Sequence, residues 1–269
     1  MVHLPFSKYS GCGNDFILID NRARIFPSHS RETLQKACHR QLGIGADGLI
    51  LLEESACANF KLRIFNSDGS EAEMCGNGIR CLAQFAAELG FPAACRIETL
   101  AGVLESKISP AGISIRMPQP TDCNWKRTLS LKQGLVVFDS VNTGVPHALL
   151  FVDDLEKVPV MQEGLEIRHH PRFGAAGTNV NWVQKKSANT IAIRTFERGV
   201  EGETLACGTG ATAAALAAAM RYQLQSPITV CTRLGEKLII DFTILYDSFK
   251  NIWMTGPVIK TYHGFFTMT

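Results

Sequence analysis

Two stretches of the chain repeat each other. Residues 60–83 read FKLRIFNSDGSEAEMCGNGIRCLA, and residues 191–214 read IAIRTFERGVEGETLACGTGATAA. The matched residues are Arg63 with Arg194, Phe65 with Phe196, Cys75-Gly76 with Cys207-Gly208, and Gly78 with Gly210. The offset is 131 residues for the first two pairs and 132 for the others, so one inserted residue explains the difference. A pattern that recurs in order at one offset predicts two homologous halves.

The same offset continues upstream of these stretches. It pairs His39 with His170, Gly43 with Gly174, and Gly13 with Gly144. In each half, alternating apolar residues predict a strand, which is followed by a polar loop and then by an alanine-rich helix. The helices are predicted over 78–90 and 208–220, and the first is ended by Gly90 and Pro92. Further strands are predicted at DFILID, GLILLE, ALLFVDD, VNWVQ and KLIIDF.

These elements predict an α+β fold of two domains. The boundary is placed near MPQPTDCNWKRT (117–128), because proline and polar residues accumulate there. The first domain is then 1–120 and the second is 121–256, with the closing residues 257–269 as candidates to return to the first.

The overall composition favours a globular protein with a small, locally recognised partner. The 269 residues are 46% hydrophobic, which is enough for a packed core, and the formal net charge is only +2. No basic stripe favours nucleic acid, and no run of 18 apolar residues or basic-then-apolar leader predicts a membrane segment or secretion. We therefore expect a cytoplasmic enzyme or binding protein with neither nucleic acid nor membrane as its partner.

The nine cysteines do not form a recognisable disulfide or zinc pattern. Their number is odd, no C-x-x-C pair is present, and the closest two are Cys75 and Cys81. Structural zinc sites require closer ligand pairs, and a chain of this length does not depend on disulfides to fold. Most cysteines are interpreted as thiols, and no metal site is predicted.

The two Cys-Gly-x-Gly motifs place a cysteine at the start of a helix. Unpaired N–H groups and the positive end of the helix dipole favour an anion there, either a thiolate or a bound carboxylate. A thiol with a reference pKa of about 8.5 can fall to roughly 3.5–7.5 in such a position. The alternative is that each cysteine is a small buried hydrophobe and each glycine only a helix start.

A matched pair of such cysteines indicates one reaction class. If the two halves face each other around a bound molecule, one sulfur can remove a proton from a carbon while the other returns one to the opposite face. A hydrolase needs only one nucleophilic cysteine with a base, and a dithiol redox site needs adjacent sulfurs. Of these, the repeat favours racemisation or epimerisation.

Five segments resemble those of the diaminopimelate epimerase family, in that family's order and across nearly the whole chain. They are GCGNDFILID (11–20), GIGADGLI (43–50), FNSDGSEAEMCGNGIRC (65–81), GTNVNW (177–182) and ERGVEGETLACGTGA (197–211). The resemblance implies two pseudo-symmetric domains, each a mixed or antiparallel β-sheet wrapped around a central helix. It also implies a cofactor-independent isomerase that interconverts LL- and meso-diaminopimelate for lysine and peptidoglycan synthesis, with dimerisation expected in this family.

The resemblance further implies roles for individual residues. Catalytic roles fall to Cys75 and Cys207 as the acid/base pair, to His147 near a catalytic thiol, and to Glu197. Substrate-binding roles fall to Asn14, Asn66, Gly76, Asn77, Asn179, Glu197, Arg198, Gly208 and Thr209. Among these, Arg198 would pair with the distal carboxylate and Glu197 would lie near the distal ammonium, as their charges allow.

Two positions depart from the family pattern. Val145 stands where many members carry an asparagine, and Gly48 stands where some carry glutamine. Because a valine side chain makes no hydrogen bond, a shifted substrate range remains open, with a racemase of proline, hydroxyproline or glutamate as the nearest alternative. A redox or metal-binding protein and a non-catalytic binding module are the alternatives from other classes.

Overall fold

The computed structural model describes residues 2–246 and 248–268. The chain divides into two compact units, of which unit 1 is Met1–Ile115 with Gly256–Thr269 and unit 2 is Arg116–Thr255. Both units contain β-sheet with a few helices, as an α+β fold requires.

The strands and helices of the described residues run from Val2 to Met268. In chain order the strands are β1 (Val2–Gly11), β2 (Asn14–Asp20), β3 (Gly48–Glu53), β4 (Phe60–Asn66), β5 (Glu71–Ala72), β6 (Ala94–Thr99), β7 (Gly102–Ser109), β8 (Gly112–Arg116), β9 (Thr121–Leu131), β10 (Gly134–Asn142), β11 (Pro146–Phe151), β12 (Asn179–Lys185), β13 (Thr190–Glu197), β14 (Gly202–Thr204), β15 (Ile228–Cys231), β16 (Lys237–Leu245), β17 (Ser248–Gly256) and β18 (Ile259–Met268). The α-helices are α1 (Arg31–Cys38), α2 (Gly76–Glu88), α3 (Val160–Arg168) and α4 (Gly208–Tyr222), and short 3₁₀ turns lie at Leu155–Lys157 and Pro171–Phe173.

The two units pair their strands in the same order. In unit 1 the ladder runs β18–β1–β2–β3–β4, in which only β2–β3 is parallel. β4 then pairs with β5 and, in parallel, with β6, and the ladder ends β6–β7–β8. In unit 2 the corresponding ladder is β9–β10–β11–β12–β13, followed by β14, β15, β16 and β17, with the same two pairings parallel.

Each sheet carries one buried helix. α2 packs against β1, β2, β3, β4 and β7 of unit 1, and α4 packs against β10 to β13, β15 and β16 of unit 2. α4 is almost entirely alanine from Ala211 to Ala219, and these small side chains are buried on every face of the helix. A helix that is apolar all round has to be enclosed by other elements. The sequence therefore makes α4 a core helix, and its first turn lies at an end of that core.

Several side-chain interactions recur at matched positions of the repeat. The Nε atom of Arg63 lies 2.8 Å from the Oε1 atom of Glu71, and the Arg194–Glu203 pair repeats this contact at 2.7 Å. His39 and His170 also match, because the Nδ1 atom of each accepts a hydrogen bond from the backbone N–H two residues ahead. The two arginine–glutamate pairs stabilise the loop that precedes each cysteine motif. The two histidines stabilise the turns that follow α1 and α3.

Two features of the fold were less visible in the sequence. The polar stretch 117–128, which the composition marks as a boundary, is largely taken up by β9. Helix α2 begins at Gly76, two residues before the predicted start, and ends at Glu88, with Leu89 as its C-cap. No helix among residues 2–246 and 248–268 is long and apolar enough to cross a membrane.

Candidate active site

Both cysteines of the repeat are N-cap residues. Cys75 has φ −142° and ψ 116° and precedes α2, whereas Cys207 has φ −122° and ψ 111° and precedes α4. In each case the backbone is extended at the cysteine and helical from the next residue on. The carbonyl of each cysteine already accepts the N–H four residues ahead, at 2.9 and 2.8 Å. The backbone N–H groups of the three residues that follow each cysteine are the ones that a helix start leaves without an intrahelical acceptor.

In unit 1 the sulfur of the N-cap cysteine does not cap the helix. Cys75 is half-buried, and in the described first turn of α2 its side chain makes no capping bond to the helix. Behind it, a Cβ on Gly78 would come within 2.9 Å of the Cδ1 atom of Ile64 and 3.0 Å of that of Ile50. Glycine therefore lets the first turn of α2 lie directly against β3 and β4.

Two predicted asparagines meet beside this helix start. The Nδ2 atom of Asn77 donates to the Oδ1 atom of Asn14 at 2.6 Å, and Asn14 Nδ2 donates to Asp47 at 3.3 Å. On its other side, Asn77 Oδ1 accepts from the buried guanidinium of Arg80 at 2.8 Å. Asn14 and Asn77, which are 63 residues apart in sequence, are thus brought into direct contact.

The third predicted asparagine of unit 1 lies at the same end of the sheet. Asn66 ends β4, is exposed, and donates to the hydroxyl of Ser70 at 3.0 Å. Its cross-strand partner is Gly48, where a Cβ would lie 2.6 Å from the carbonyl oxygen of Phe65. A larger residue at position 48 would require the backbone of β4 to move.

The cysteine of unit 2 is built into its surroundings more tightly. Cys207 is only 6% exposed, and its sulfur accepts the backbone N–H of Gly210 at 3.4 Å and lies 3.4 Å from the hydroxyl of Thr209. The carbonyl of Thr209 accepts from the hydroxyl of Thr143 at 2.9 Å. A Cβ on Gly210 would overlap the side-chain oxygen of Asn181, so only glycine fits there.

His147 lies next to this motif through Asn181. The Nδ2 atom of Asn181 donates to the carbonyl of Ala148 at 3.2 Å, and its Oδ1 accepts from Thr195 at 2.9 Å, so the orientation of the amide is fixed. Asn181 Nδ2 therefore also donates to His147 Nδ1, at 3.1 Å, and the ring proton is on Nε2. Burial, and to a smaller extent the positive charge of Arg198, lower the pKa of His147 to about 3, so the ring is neutral near pH 7.

A small cavity of about 150 Å³ opens beside His147. The Nε2 atom of this ring is buried and has no hydrogen-bond partner among the described residues. Besides His147, the cavity is lined by Asp122, Ser140, Val141, Asn142, Pro146, Phe173 and Thr178. A buried N–H donor beside a cavity that is lined in part by polar side chains can be satisfied by water or by an acceptor group of a bound molecule.

The other predicted residues of unit 2 lie at the ends of β12 and β13. Asn179 begins β12, donates to the carbonyl of Pro146 at 3.2 Å, and accepts the backbone N–H of Arg198 at 2.8 Å. Glu197 ends β13, and burial raises the pKa of its carboxyl. Val145 is half-buried in the turn between β10 and β11, next to Pro146. These contacts bring the predicted substrate-binding residues of unit 2 to one end of its sheet.

All nine cysteines are free, but they differ in surroundings. Burial raises the pKa of Cys81 to about 12 and that of Cys38 to about 11, as expected for thiols inside an apolar core. Neither of these sits at a helix start. Within the part of the chain that the structure describes, no three His, Cys, Asp or Glu side chains gather as metal ligands would.

The comparison with known proteins matches this chain to one family. A sequence model of the diaminopimelate epimerase family matches residues 6–121 and 140–261. The chain is 43% identical over 273 aligned residues to the diaminopimelate epimerase of Aquifex aeolicus, with 97% of each chain covered. The chain belongs to the diaminopimelate epimerase family. The predicted family is thereby confirmed.

Solved structures extend the likeness at the level of the fold. A phenazine biosynthesis protein of the PhzF family from Bacillus anthracis matches with a TM-score of 0.75 at 14% identity, and both chains are covered completely. A hydroxyproline epimerase from Agrobacterium vitis, solved with bound trans-4-hydroxy-L-proline, matches with a TM-score of 0.70 at 14% identity, over 98% of this chain and 92% of that one. The fold class predicted from the diaminopimelate epimerase resemblance is confirmed.

Some residues around the diaminopimelate epimerase motifs were not predicted. Asn181 stands two residues after Asn179 in the same strand, so the period of two was a usable signal that both face one side. Arg80 stands four residues after Gly76, which puts it on the same face of α2. Asp47 lies within the segment GIGADGLI (43–50), but no local pattern indicates its contact with Asn14, because the two residues are 33 apart.

Proposed function

We propose that this chain is a diaminopimelate epimerase, a cofactor-independent isomerase that interconverts the LL and meso forms by moving protons at one α-carbon. The observation that carries the proposal is the pair of matched N-cap cysteines, Cys75 and Cys207. Each stands in extended backbone before a helix whose first N–H groups point toward it. The 43% identity to a diaminopimelate epimerase supports the same substrate.

The proton balance of the reaction assigns one task to each sulfur. One cysteine, as thiolate, takes the α-hydrogen as a proton and leaves the bonding electrons on carbon. The other cysteine, as thiol, gives its proton to the opposite face of that carbon and becomes the thiolate for the reverse direction. The helix N-terminus favours the thiolate form, because its partial positive charge stabilises an anion.

The helix starts have a second task in this proposal. The carboxylate at the reacting carbon binds the backbone N–H groups of Gly76, Asn77, Gly208 and Thr209. As the α-proton leaves, negative charge spreads onto this carboxylate, and N–H donors that are already oriented stabilise it without reorganising. No metal or organic cofactor is needed to hold that charge.

The remaining predicted residues bind the substrate or set the protonation state of a catalytic thiol in this proposal. In our proposal Asn14, Asn66 and Asn179 hold polar groups of the substrate, Arg198 pairs with the distal carboxylate, and Glu197 takes the distal ammonium and assists catalysis. His147 acts on the protonation state of a catalytic thiol as a neutral ring, because its pKa of about 3 keeps it uncharged near pH 7. It therefore acts through hydrogen bonds rather than through positive charge.

The test uses deuterated water and LL-diaminopimelate. The wild-type chain should form the meso isomer and place one deuterium at the inverted carbon, as mass spectrometry and chiral chromatography report. Cys75→Ala and Cys207→Ala should each reduce epimerisation by more than a thousandfold, since each removes one of the two proton carriers. Cys57→Ala, at an exposed cysteine outside the motifs, is the matched control and should keep full activity. Epimerase activity that survives Cys207→Ala would refute the two-thiol assignment.

A second candidate is a related racemase with a shifted substrate range. Val145 favours it, because this half-buried side chain offers no hydrogen bond where many family members carry an asparagine. The same deuterium experiment on proline, hydroxyproline and glutamate separates the two candidates. Turnover of any of these above that of LL-diaminopimelate would move the assignment to the second.

Location and assembly are part of the proposal. We place the enzyme in the cytoplasm, where a reducing environment keeps thiols available, and the nine free cysteines support this. We also propose a homodimer, which is supported by exposed Ile259, Tyr262 and Phe265 on β18, the strand at which the unit 1 ladder begins. Light scattering of the purified chain tests the dimer, and a monomer at micromolar concentration would contradict it.

A further inference from the structure

A chain of hydrogen bonds runs through the side chains at the start of α2. It begins at the guanidinium of Arg80, whose Nη2 atom donates to Asn77 Oδ1 at 2.8 Å. Asn77 Nδ2 donates to Asn14 Oδ1 at 2.6 Å, and Asn14 Nδ2 donates to Asp47 Oδ2 at 3.3 Å. Every bond in the chain therefore points the same way, from Arg80 to Asp47.

The two ends of the chain allow only this direction. A guanidinium can only donate, so the oxygen of the Asn77 amide must face Arg80 and its NH₂ group must face Asn14. A carboxylate can only accept, so the NH₂ group of Asn14 must face Asp47. Both arguments give the same orientation for the two amides. Hydrogen bonds that point one way polarise each other and gain strength together.

Both ends are held in place by further contacts. Arg80 is completely buried, folds back along α2 to reach the carbonyl of Gly76 at 3.4 Å, and donates to the sulfur of Cys12 at 3.3 Å. At the other end, Asp47 Oδ1 accepts from Arg40 at 2.7 Å. The chain is thus anchored at one end in the core and at the other by an ion pair at the surface.

The matched place in unit 2 lacks this arrangement. Thr212 stands where the repeat would place Arg80, and its hydroxyl donates to the carbonyl of Gly208 at 3.0 Å. Thr209 stands where unit 1 has Asn77. The hydrogen-bond chain is therefore not a by-product of the duplicated backbone, because the backbone is repeated without it.

We propose that Arg80 and Asp47 are positioning residues, which set the amide orientations of Asn77 and Asn14 at the start of α2. This inference rests on the proposed function, in which Asn14 and Asn77 contact the substrate. With the amides fixed, each still has one N–H that the chain does not use, and both are presented to a bound carboxylate in a single arrangement. If either Arg80 or Asp47 is removed, the side-chain amides can rotate by half a turn. Each then presents its oxygen instead of its N–H, and the oxygen repels a carboxylate.

The test compares variants at the exposed end, where folding is least at risk. Asp47→Ala removes the acceptor for Asn14, whereas Asp47→Asn removes the charge but keeps an oxygen that can accept. Asp20→Ala is the matched control, because it breaks an exposed aspartate–arginine pair with Arg22 at the far end of β2. We expect kcat/KM for LL-diaminopimelate to fall about tenfold in Asp47→Ala, through KM, and less than threefold in the other two.

A second measurement does not depend on the substrate. The side-chain NH₂ signals of Asn14 and Asn77 can be assigned in nitrogen-15 spectra from their loss in Asn14→Asp and Asn77→Asp. Their hydrogen exchange should accelerate about tenfold in Asp47→Ala and in Arg80→Lys, and should stay near the wild-type rate in Asp47→Asn. Arg80→Lys tests the buried end, because a lysine keeps the charge but loses the fork that reaches three acceptors.

The outcomes separate this inference from the proposed function. Equal losses of kcat/KM in Asp47→Ala and Asp47→Asn would overturn the positioning role, because only the charge would then matter. Unchanged amide exchange in Asp47→Ala would overturn it as well, whatever the substrate proves to be. A wild-type chain that does not epimerise LL-diaminopimelate would instead refute the proposed function, while the exchange rates would still decide the positioning role.

Discussion

The starts of α2 and α4 share a backbone but not their side-chain surroundings. Both begin with an extended cysteine, both have glycine at the third helical position, and both follow an arginine–glutamate pair at matched residues. At α2 the neighbouring side chains form a chain of amides between two charged ends. At α4 the sulfur itself caps the helix, and the neighbours are the neutral, buried His147 and Asn181.

This difference shows which parts of the duplicated unit the chemistry constrains. The hydrogen-bond donors for a carboxylate are backbone N–H groups of the first helical turn. Any sequence whose side chains leave these groups accessible therefore retains the donors. The surroundings of each sulfur can then diverge, because the proposed mechanism gives the two cysteines different tasks, one as proton acceptor and the other as proton donor. The comparison predicts that equivalent substitutions in the two motifs will have unequal effects.

The largest expected difference is between Gly210→Ala and Gly78→Ala. A methyl group at position 210 overlaps the side-chain oxygen of Asn181 and lies 3.3 Å from the sulfur of Cys207. The Asn181 amide cannot turn away, because it is hydrogen-bonded to Thr195, Ala148 and His147. We expect kcat/KM to fall about a hundredfold and the free energy of unfolding to drop by about 2 kcal/mol.

The matched substitution at position 78 meets softer neighbours. Its methyl group would press only on the chain ends of Ile64 and Ile50, which can rotate away, because the Cβ of Cys75 lies at an ordinary contact distance of 3.6 Å. We expect less than a fivefold loss of kcat/KM and a change in unfolding free energy below about 1 kcal/mol. Steady-state kinetics and urea unfolding of the two variants check the ranking. Equal losses would mean that the two motifs are energetically alike.

The next effect concerns pH and is confined to unit 2. The pKa of His147 is about 3 in the folded chain, because burial disfavours its charged form, and about 6.5 in the unfolded chain. The unfolded state therefore binds the proton first as pH falls. The contribution of the neutral His147 ring to the free energy of unfolding is therefore fully present above pH 6.5. It is lost as the pH falls toward 3, at about 1.4 kcal/mol per pH unit.

Urea titrations between pH 7 and pH 4.5 measure this loss. His147→Gln should flatten the slope of unfolding free energy against pH by about 1.4 kcal/mol per unit, even where the variant is less stable overall. His263→Gln, at an exposed histidine of β18, is the control and should keep the wild-type slope. An unchanged slope in His147→Gln would show that this ring is not the group that the folded state keeps neutral.

The parts of this fold that the sequence predicts are local. The repeat locates both cysteine motifs, because glycine, cysteine and a long alanine run leave few alternatives to a helix start. The pairing of β18 with β1 joins the two ends of the described chain, and no local period encodes such a partner. β9 was missed because most of its residues are exposed, and an exposed strand shows little alternation.

The candidate site follows the same division. Asn14, Asn77 and Cys75 are found from their motifs, but the bonds that orient the two amides join Asn77 to Asn14, 63 residues away, and Asn14 to Asp47, 33 residues away. Which atom of His147 carries the proton depends likewise on Asn181 and its partners. Roles can be carried over from a motif, whereas orientations require the packed structure.

The smallest expected effect tests the position where unit 2 departs from its family. Val145→Asn should restore a hydrogen-bonding side chain beside the cavity that His147 lines, because the native valine is already half-buried in that turn. One added bond of about 0.5–1.5 kcal/mol raises the preference for LL-diaminopimelate over glutamate by roughly 2- to 12-fold, as a ratio of kcat/KM values. Val145→Ala, which opens the same space without a donor, should leave that ratio unchanged. A gain in both variants would mean that space, rather than a missing polar contact, limits recognition at this position.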